Sequence, residues 1–266
     1  MARPEVLTSA GNPFLKEIKR AAAQGALTAD GCAVAEGPRL LGEALRSPVA
    51  IQAVVAAESA LGRATGRLGA AAGVRLVAVP GGVFKEIACT ETPQGVLALV
   101  RPPAWTLEQV FGERALVVIL DGVQDPGNAG AVVRSAEAFG ATGVVFLRGT
   151  ANPWSPKALR GSAGSLFRVP AVRGVSAAEA VAACAAHGAV LYAAVARGGA
   201  APHEAGLAEP CALAIGGEGR GAGKALIEAA RLVTIPARGV ESLNAAVAAG
   251  VLLYEARRQR GGGARP

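Results

Sequence analysis

Ile235-Pro-Ala-Arg-Gly-Val-Glu-Ser-Leu-Asn244 runs directly into Ala245-Ala-Val-Ala-Ala-Gly-Val-Leu-Leu-Tyr254. Pro236 and Gly239 punctuate the first half as a loop, and Ser242 and Asn244 are residues that start helices. The second half is apolar on every side for about three turns, the pattern of a buried helix. A polar loop therefore opens onto a buried helix. The free N–H groups and positive potential of a helix start suit a polar ligand.

The rest of the chain narrows the ligand. Its 266 residues correspond to about two domains. With 52% hydrophobic and 18% charged residues the chain can build packed cores. A net charge of +7 and a pI near 9.7 favour a polyanionic partner, nucleic acid above all. Cys32, Cys89, Cys184 and Cys211 stand far apart in apolar runs, with no C-x-x-C. They read as core thiols of a reducing compartment, not as a zinc site or a disulfide framework. His187 and His203 are isolated, which argues against a metal cluster or a Ser/His/Asp triad. Met1–Glu5 carries no apolar leader and no long apolar run follows, so a cytoplasmic protein with no membrane span is expected.

Residues 1–100 alternate helical and strand-like segments as a small α/β unit. Helical stretches are expected at 11–20, from Glu36, over 58–72 and at 84–89. Strands are expected at 32–35, 51–56, 74–79 and 94–100. Lys16, Lys19, Arg20 and Arg39 give this unit a basic side, and Lys16 and Arg39 are its candidate RNA contacts. Arg101-Pro-Pro-Ala-Trp105 reads as a stiff linker, placed at 101–112. Over 113–266 the βα rhythm restarts. Strands are expected at 116–120, 144–147, 166–169, 190–195, 211–215 and 232–235. Helices are expected from the Asp121–Asn128 turn to about Phe139, then at 154–160, 177–187 and 224–230. Such order implies a parallel sheet with ligands at the carboxyl ends of its strands. The tail Arg257–Pro266 ends in disorder-prone sequence.

Three loops at those strand ends carry polar residues. In Asp121–Arg134, Asn128 can cap the following helix and Arg134 lies off its apolar stripe. Arg134 has two readings: a guanidinium that holds an anion at the strand ends, or an exposed partner of Glu137 at i+3. Gly216–Gly223 follows a strand and precedes a helix, so its backbone can approach a ligand closely. Its Gly217-x-Gly219-x-x-Ala222 matches a loose dinucleotide fingerprint, but Glu218 within it would repel a pyrophosphate. The third loop is the opening one, with Ser242, Leu243 and Asn244.

Together the three loops resemble the SpoU/TrmH branch of the SPOUT methyltransferases. Asp121-Gly-Val-Gln-Asp-Pro-Gly-Asn-Ala-Gly-Ala-Val-Val-Arg134 resembles motif 1 of that family, Ile215-Gly-Gly-Glu-Gly-Arg-Gly221 motif 2, and Ile235-Pro through Glu241-Ser-Leu-Asn-Ala-Ala-Val-Ala-Ala249 motif 3. Thr8-Ser-Ala-Gly-Asn-Pro13, Ala35-Glu-Gly-Pro-Arg-Leu40 and Thr92-Pro-Gln-Gly-Val96 resemble its accessory substrate-binding domain of the L30e type. The resemblance implies a ribose 2′-O-methyltransferase of structured RNA, ribosomal RNA foremost, that uses S-adenosylmethionine. It implies an α/β fold: an L30e-like domain at 1–100, then a SPOUT parallel sheet with a deep trefoil knot at 113–266, working as a homodimer without a metal. Gly216, Gly217, Ile235, Leu243 and Asn244 would hold the cofactor. Asn128, Arg134, Glu218, Ser242 and Asn244 would form the catalytic pocket, with Arg134 also gripping RNA. The segment between Ile235 and Leu243 is about one residue shorter than the family pattern implies. The small residues Ala245, Ala248, Ala249 and Gly250 would let the last helix pack closely, one side in its own domain and another on a second subunit. The alternatives are a tRNA 2′-O-methyltransferase and, from other classes, a nucleotide-dependent oxidoreductase using the Gly216–Gly223 loop or a catalytically silent RNA-binding protein.

Overall fold

The computed structural model describes residues 4–69 and 73–261. Parts of two expectations, the helix over 58–72 and the tail to Pro266, fall on 70–72 and 262–266, outside the described residues. The chain forms two units, Met1–Ala104 with Trp154–Arg168, and Trp105–Pro153 with Val169–Pro266.

The first unit holds β1 (Glu5–Val6), α1 (Pro13–Gln24), β2 (Ala33–Glu36), α2 (Pro38–Leu45), β3 (Ala50–Ala57), α3 (Leu61–Leu68), β4 (Arg75–Val79), α4 (Gly81–Ile87) and β5 (Val96–Arg101). Its sheet runs β1-β4-β3-β5-β2, with β1, β4 and β3 parallel and β5 antiparallel to both β3 and β2. Pro38 is tolerated at the start of α2 because a first-turn N–H has no intrahelical acceptor.

The second unit begins with α5 (Leu107–Phe111), where the sequence placed a linker. Thr106 and Gln109 form a capping box, and Val110 and Phe111 are buried in the core of this unit. Its strands are β6 (Leu116–Asp121), β7 (Gly143–Leu147), β8 (Ala171–Val175), β9 (Val190–Ala194), β10 (Cys211–Gly216) and β11 (Arg231–Val233). Every pair is parallel, in the order β11-β9-β10-β6-β7-β8. Parallel strands buried on both faces read as continuous apolar runs, which is why they stood out. The helices are α6 (Pro126–Ala138), α8 (Ala177–Ala186), α9 (Lys224–Ala229) and α10 (Ala245–Gln259); α7 (Pro156–Gly161) packs in the first unit, against β2. On one face Val117, Ile119 and Val145 meet Phe111 of α5, Ala180 and Cys184 of α8 and Leu226 of α9. α6 and α10 pack together, α10 against β10 and α6 against β7.

One further expectation needs correction. Residues 166–169 are not a strand: Ser165–Phe167 is a 3-10 turn, with Phe167 N–H donating to Gly164 O (3.0 Å) and Arg168 N–H to Ser165 O (3.0 Å). Leu166 and Phe167 are fully buried, and a short buried apolar run reads alike as strand or helical turn. The strand starts at Ala171, just past Pro170. This stretch is held in the first unit, where Arg168 donates to Glu43 Oε2 (2.9 Å) and Ser47 Oγ (3.2 Å), and where a Cβ on Gly164 would sit 2.5 Å from Glu43 Cβ.

Within the single chain α10 is buried on one side only. Ala245, Ala249, Leu252, Leu253 and Ala256 are buried, whereas Val247, Val251 and Tyr254 are 52%, 38% and 58% exposed. Those three recur at helical spacing and form one apolar stripe. At its far end, the Arg260 guanidinium donates to the carbonyls of Leu207, Glu209, Arg114 and Ala115, beside the amino ends of β6 and β10.

Candidate functional site

The sheet order places β6 next to β10, with β7 on one side and β9 on the other. Gly216 at the end of β10 faces Asp121 at the end of β6. This is the switch point of an open parallel sheet, where ligands bind beyond the carboxyl ends of the strands. All three polar loops start or end here.

The first two loops are locked together by their backbones. Gly217 N–H donates to Asp121 O (2.8 Å) and Gly223 N–H to Asp121 Oδ2 (2.7 Å). Gly221 N–H donates to Gly217 O (3.0 Å), closing a tight turn with Glu218 at its corner and Gly219 and Gly221 at positive φ. A Cβ on Gly216 would lie 1.9 Å from Gly221 C, and one on Gly217 would lie 2.2 Å from Gly122 O. Both glycines are thus required by crossing main chains, whatever else they hold. The Gly122 N–H donates to Thr150 Oγ1 (3.0 Å), and Gln124 Nε2 donates to Gly149 O, so the loop after β7 braces the first loop.

Glu218 is where the three loops meet. Its Oε1 accepts from Asn128 Nδ2 (2.8 Å) and from Asn244 Nδ2 (3.2 Å). Asn244 is doubly used: its Oδ1 caps α10 through the N–H groups of Ala246 (2.9 Å) and Val247 (3.4 Å). Asn128, expected to cap α6, does not. Asp125 takes that place and accepts from Asn128 N–H (2.9 Å), which leaves the Asn128 side chain free to reach Glu218. α6 and α10 lie side by side in the same direction, with Phe139 edge-on to Tyr254 (5.9 Å) and Ser135 beside Gly250. Their positive ends therefore both lie at the Glu218 carboxylate.

Arg134 follows Asn128 by about 9 Å along the α6 axis. It is exposed and has no ion pair among the described residues, with Glu137 or otherwise. Of its two readings, the open guanidinium remains. Ser242 is exposed and makes no hydrogen bond among the described residues. Lys16 and Arg39 are exposed on α1 and α2 of the first unit.

From Ile235 to Leu243 no backbone N–H or C=O finds a hydrogen-bond partner among the described residues. Ile235 and Leu243 are half-buried at the two ends of that segment. A ligand with an amine, a carboxylate, hydroxyls and a purine edge could use those unspent groups, with the two aliphatic side chains covering an apolar face. The segment thus fits S-adenosylmethionine. It fits a dinucleotide less well, since the N–H of Gly223 that would meet a pyrophosphate is taken by Asp121 and Glu218 stands beside it.

Asp121 opens motif 1 but was given no role there, and Thr150 lies outside the motifs; both brace the candidate site. Asp121 did carry a signal, as an acid closing the apolar run Leu116–Leu120. Thr150 carried none.

Residues 115–254 match the family model of the SpoU rRNA Methylase family, and residues 12–98 match the MRM3-like substrate binding domain. The chain belongs to the SpoU rRNA methylase family. It is 33% identical over 253 residues to a 23S rRNA (guanosine(2553)-2′-O)-methyltransferase of Bacillus subtilis, RlmP, covering 94% of this chain and 98% of the relative. Among solved structures, the SpoU methyltransferase AviRb of Streptomyces viridochromogenes in complex with AdoMet superposes with a TM-score of 0.84, at 30% identity and 95% and 100% coverage. An AdoMet-bound rRNA methyltransferase of Sinorhizobium meliloti gives 0.83, at 28% identity and 96% and 97% coverage. The oxidoreductase reading finds no support.

Proposed function

We propose that the protein transfers the methyl group of S-adenosylmethionine to a ribose 2′-hydroxyl of ribosomal RNA. The observation that carries this reading is the convergence of Asn128, Glu218 and Asn244, one from each motif loop, beyond the sheet's switch point. The backbone of Gly216, Ile235 and Leu243, with the Gly217 carbonyl's second lone pair, would hold the cofactor, which when bound would supply a methyl already activated by its sulfonium.

The chain's own task is to make the 2′-hydroxyl nucleophilic. Arg134 stabilises the developing alkoxide and grips the neighbouring phosphate. A guanidinium offers donors and no acceptor, so the proton goes instead to a phosphate oxygen of the RNA. Glu218 acts as a positioning residue for Asn128 and Asn244, and Ser242 closes the pocket. Glu218→Ala is expected to lower kcat by about tenfold or more by freeing both amides, while Glu218→Gln, which keeps an accepting oxygen, retains most activity. Steady-state methyl transfer by the two variants tests this, and equal rates for Glu218→Ala and the parent would remove the role.

The finer architecture belongs to the same proposal. Residues 1–100 form an L30e-like RNA-binding domain, the catalytic domain carries a trefoil knot, and the enzyme works in the cytoplasm as a homodimer. The exposed stripe Val247, Val251 and Tyr254 of α10 supports the dimer, since an apolar stripe on an otherwise packed helix calls for a partner. Val251→Glu is expected to convert the dimer to monomer at micromolar concentration in light scattering after gel filtration. A parent protein that already runs as a monomer would end that part.

The deciding experiment supplies labelled S-adenosylmethionine and total RNA from a strain lacking the gene. Expected is a 2′-O-methylated nucleoside in ribosomal RNA by nuclease digestion and mass spectrometry. Label confined to tRNA, or to a base, would overturn the reading.

A further inference from the structure

Within the first unit, α2 and α3 wall an open pocket of about 740 Å³. Arg39, Arg46, Arg63 and Arg67 line it, with Glu43 as its one carboxylate and Gln94 at its edge. Glu43 is already engaged, 2.8 Å from Arg46 Nη2 and 2.9 Å from Arg168 Nη1. Arg39 and Arg67 have no counter-ion among the described residues, and Arg63 directs one N–H to the Gln94 carbonyl (3.3 Å). The positive charge of the pocket is therefore largely uncompensated.

The arginines are also drawn together. A Cβ on Gly42 would lie 3.0 Å from Arg67 Nη1 and 3.5 Å from Arg46 Nη1, so a glycine on α2 makes room for two converging guanidiniums. Like charges gathered this closely disfavour each other unless an anion joins them. The edge that carries Gln94 is tied to β2. Glu36, only 5% exposed, accepts from Cys89 N–H (2.5 Å) and Thr90 Oγ1 (2.6 Å), anchoring the loop that leads to Gln94. The edge carrying Gln94 is held in place before binding, so ordering it costs little.

We propose that this pocket seats successive phosphates of the RNA strand, away from the reacting ribose. The proposal rests on the methyltransferase reading for the identity of the RNA. Three features favour a polyanionic strand over a small anion or a free nucleotide. The cations extend along the whole of α2, about 12 Å, more than a single phosphate spans. No aromatic side chain lines the pocket, so a base has nothing to stack on. Guanidinium groups hold phosphate oxygens in pairs, the geometry of backbone positioning rather than base reading.

The test measures binding of an unmodified 23S rRNA transcript against salt concentration. For Arg63→Ala/Arg67→Ala, affinity is expected to fall about tenfold or more near physiological salt. The slope of log K on log salt shrinks by about 1.5, as for two lost phosphate contacts. Calorimetry should give an unchanged affinity for S-adenosylmethionine, and kinetics a raised KM for RNA with kcat preserved. Arg63→Lys/Arg67→Lys, which keeps both charges, should recover most of the affinity. Parent-like affinity and slope in the alanine pair would overturn the proposal, as would a parallel loss of cofactor binding, which would mark a structural defect. The binding readout does not depend on turnover. A parent protein that binds the transcript through the pocket but never methylates it would refute the methyltransferase reading alone.

Discussion

Arg134→Ala is expected to lower kcat for methyl transfer by about 100- to 1000-fold, the range for removing one group that meets charge developing in a transition state. Its affinity for S-adenosylmethionine should not move, because the cofactor is assigned to the main chain of Ile235–Leu243 and Gly216–Gly217. The fold should not move either, since Arg134 is exposed and holds no partner among the described residues. Arg134→Lys keeps the charge but loses the planar fork, and an intermediate rate is expected. Single-turnover kinetics at saturating RNA, paired with cofactor calorimetry, separates these effects. Full activity in Arg134→Ala would show that the guanidinium has no part in the chemistry.

The second large effect is on stability. Gly217→Ala puts a methyl where Gly122 O already lies 2.2 Å away, and backbone cannot swing aside as a long side chain can. Overpacking of this kind costs about 1–3 kcal/mol or more. In a unit of this size that is a fall of roughly 3–10 °C in Tm. Gly219→Ala is the matched comparison: its φ of 84° is strained for alanine, but no atom stands within 4 Å of the added carbon. It should lose only about 1 kcal/mol. Calorimetric melts of the two variants decide the matter. If Gly217→Ala melted no lower than Gly219→Ala, the loops would not be pressed together as described.

Much of the second unit was legible because its central strands are apolar runs and α6, α8 and α10 open on Asp-Pro, Ser-Ala and Asn-Ala. What failed was local ambiguity: Leu166–Val169 is equally apolar as a strand or as a turn. Leu107–Phe111 carried a readable signal, Thr106-Leu-Glu-Gln109, that the prolines before it obscured. Each motif loop was visible by itself. That one oxygen of Glu218 joins them was not, since its partners lie 90 and 26 residues away and nothing local marks a side chain as their meeting point. The same holds for Trp154–Arg168, whose place in the first unit depends on Glu43, 125 residues from Arg168.

Asn244 and Arg260 bind α10 at opposite ends of the central strands, one to Glu218 and the other to the carbonyls around Arg114 and Leu207. On the other side of the loop, Val233 is fixed in β11, and Thr234 N–H is tied to Ala200 O (2.9 Å). The segment between is a span slung between two fixed posts. Whatever rearrangement accompanies cofactor entry has to be absorbed inside it, by a few torsions around Pro236 and Gly239. A single shortened or stiffened residue in that span would then alter entry and release rates for the cofactor before it altered the helix or the sheet.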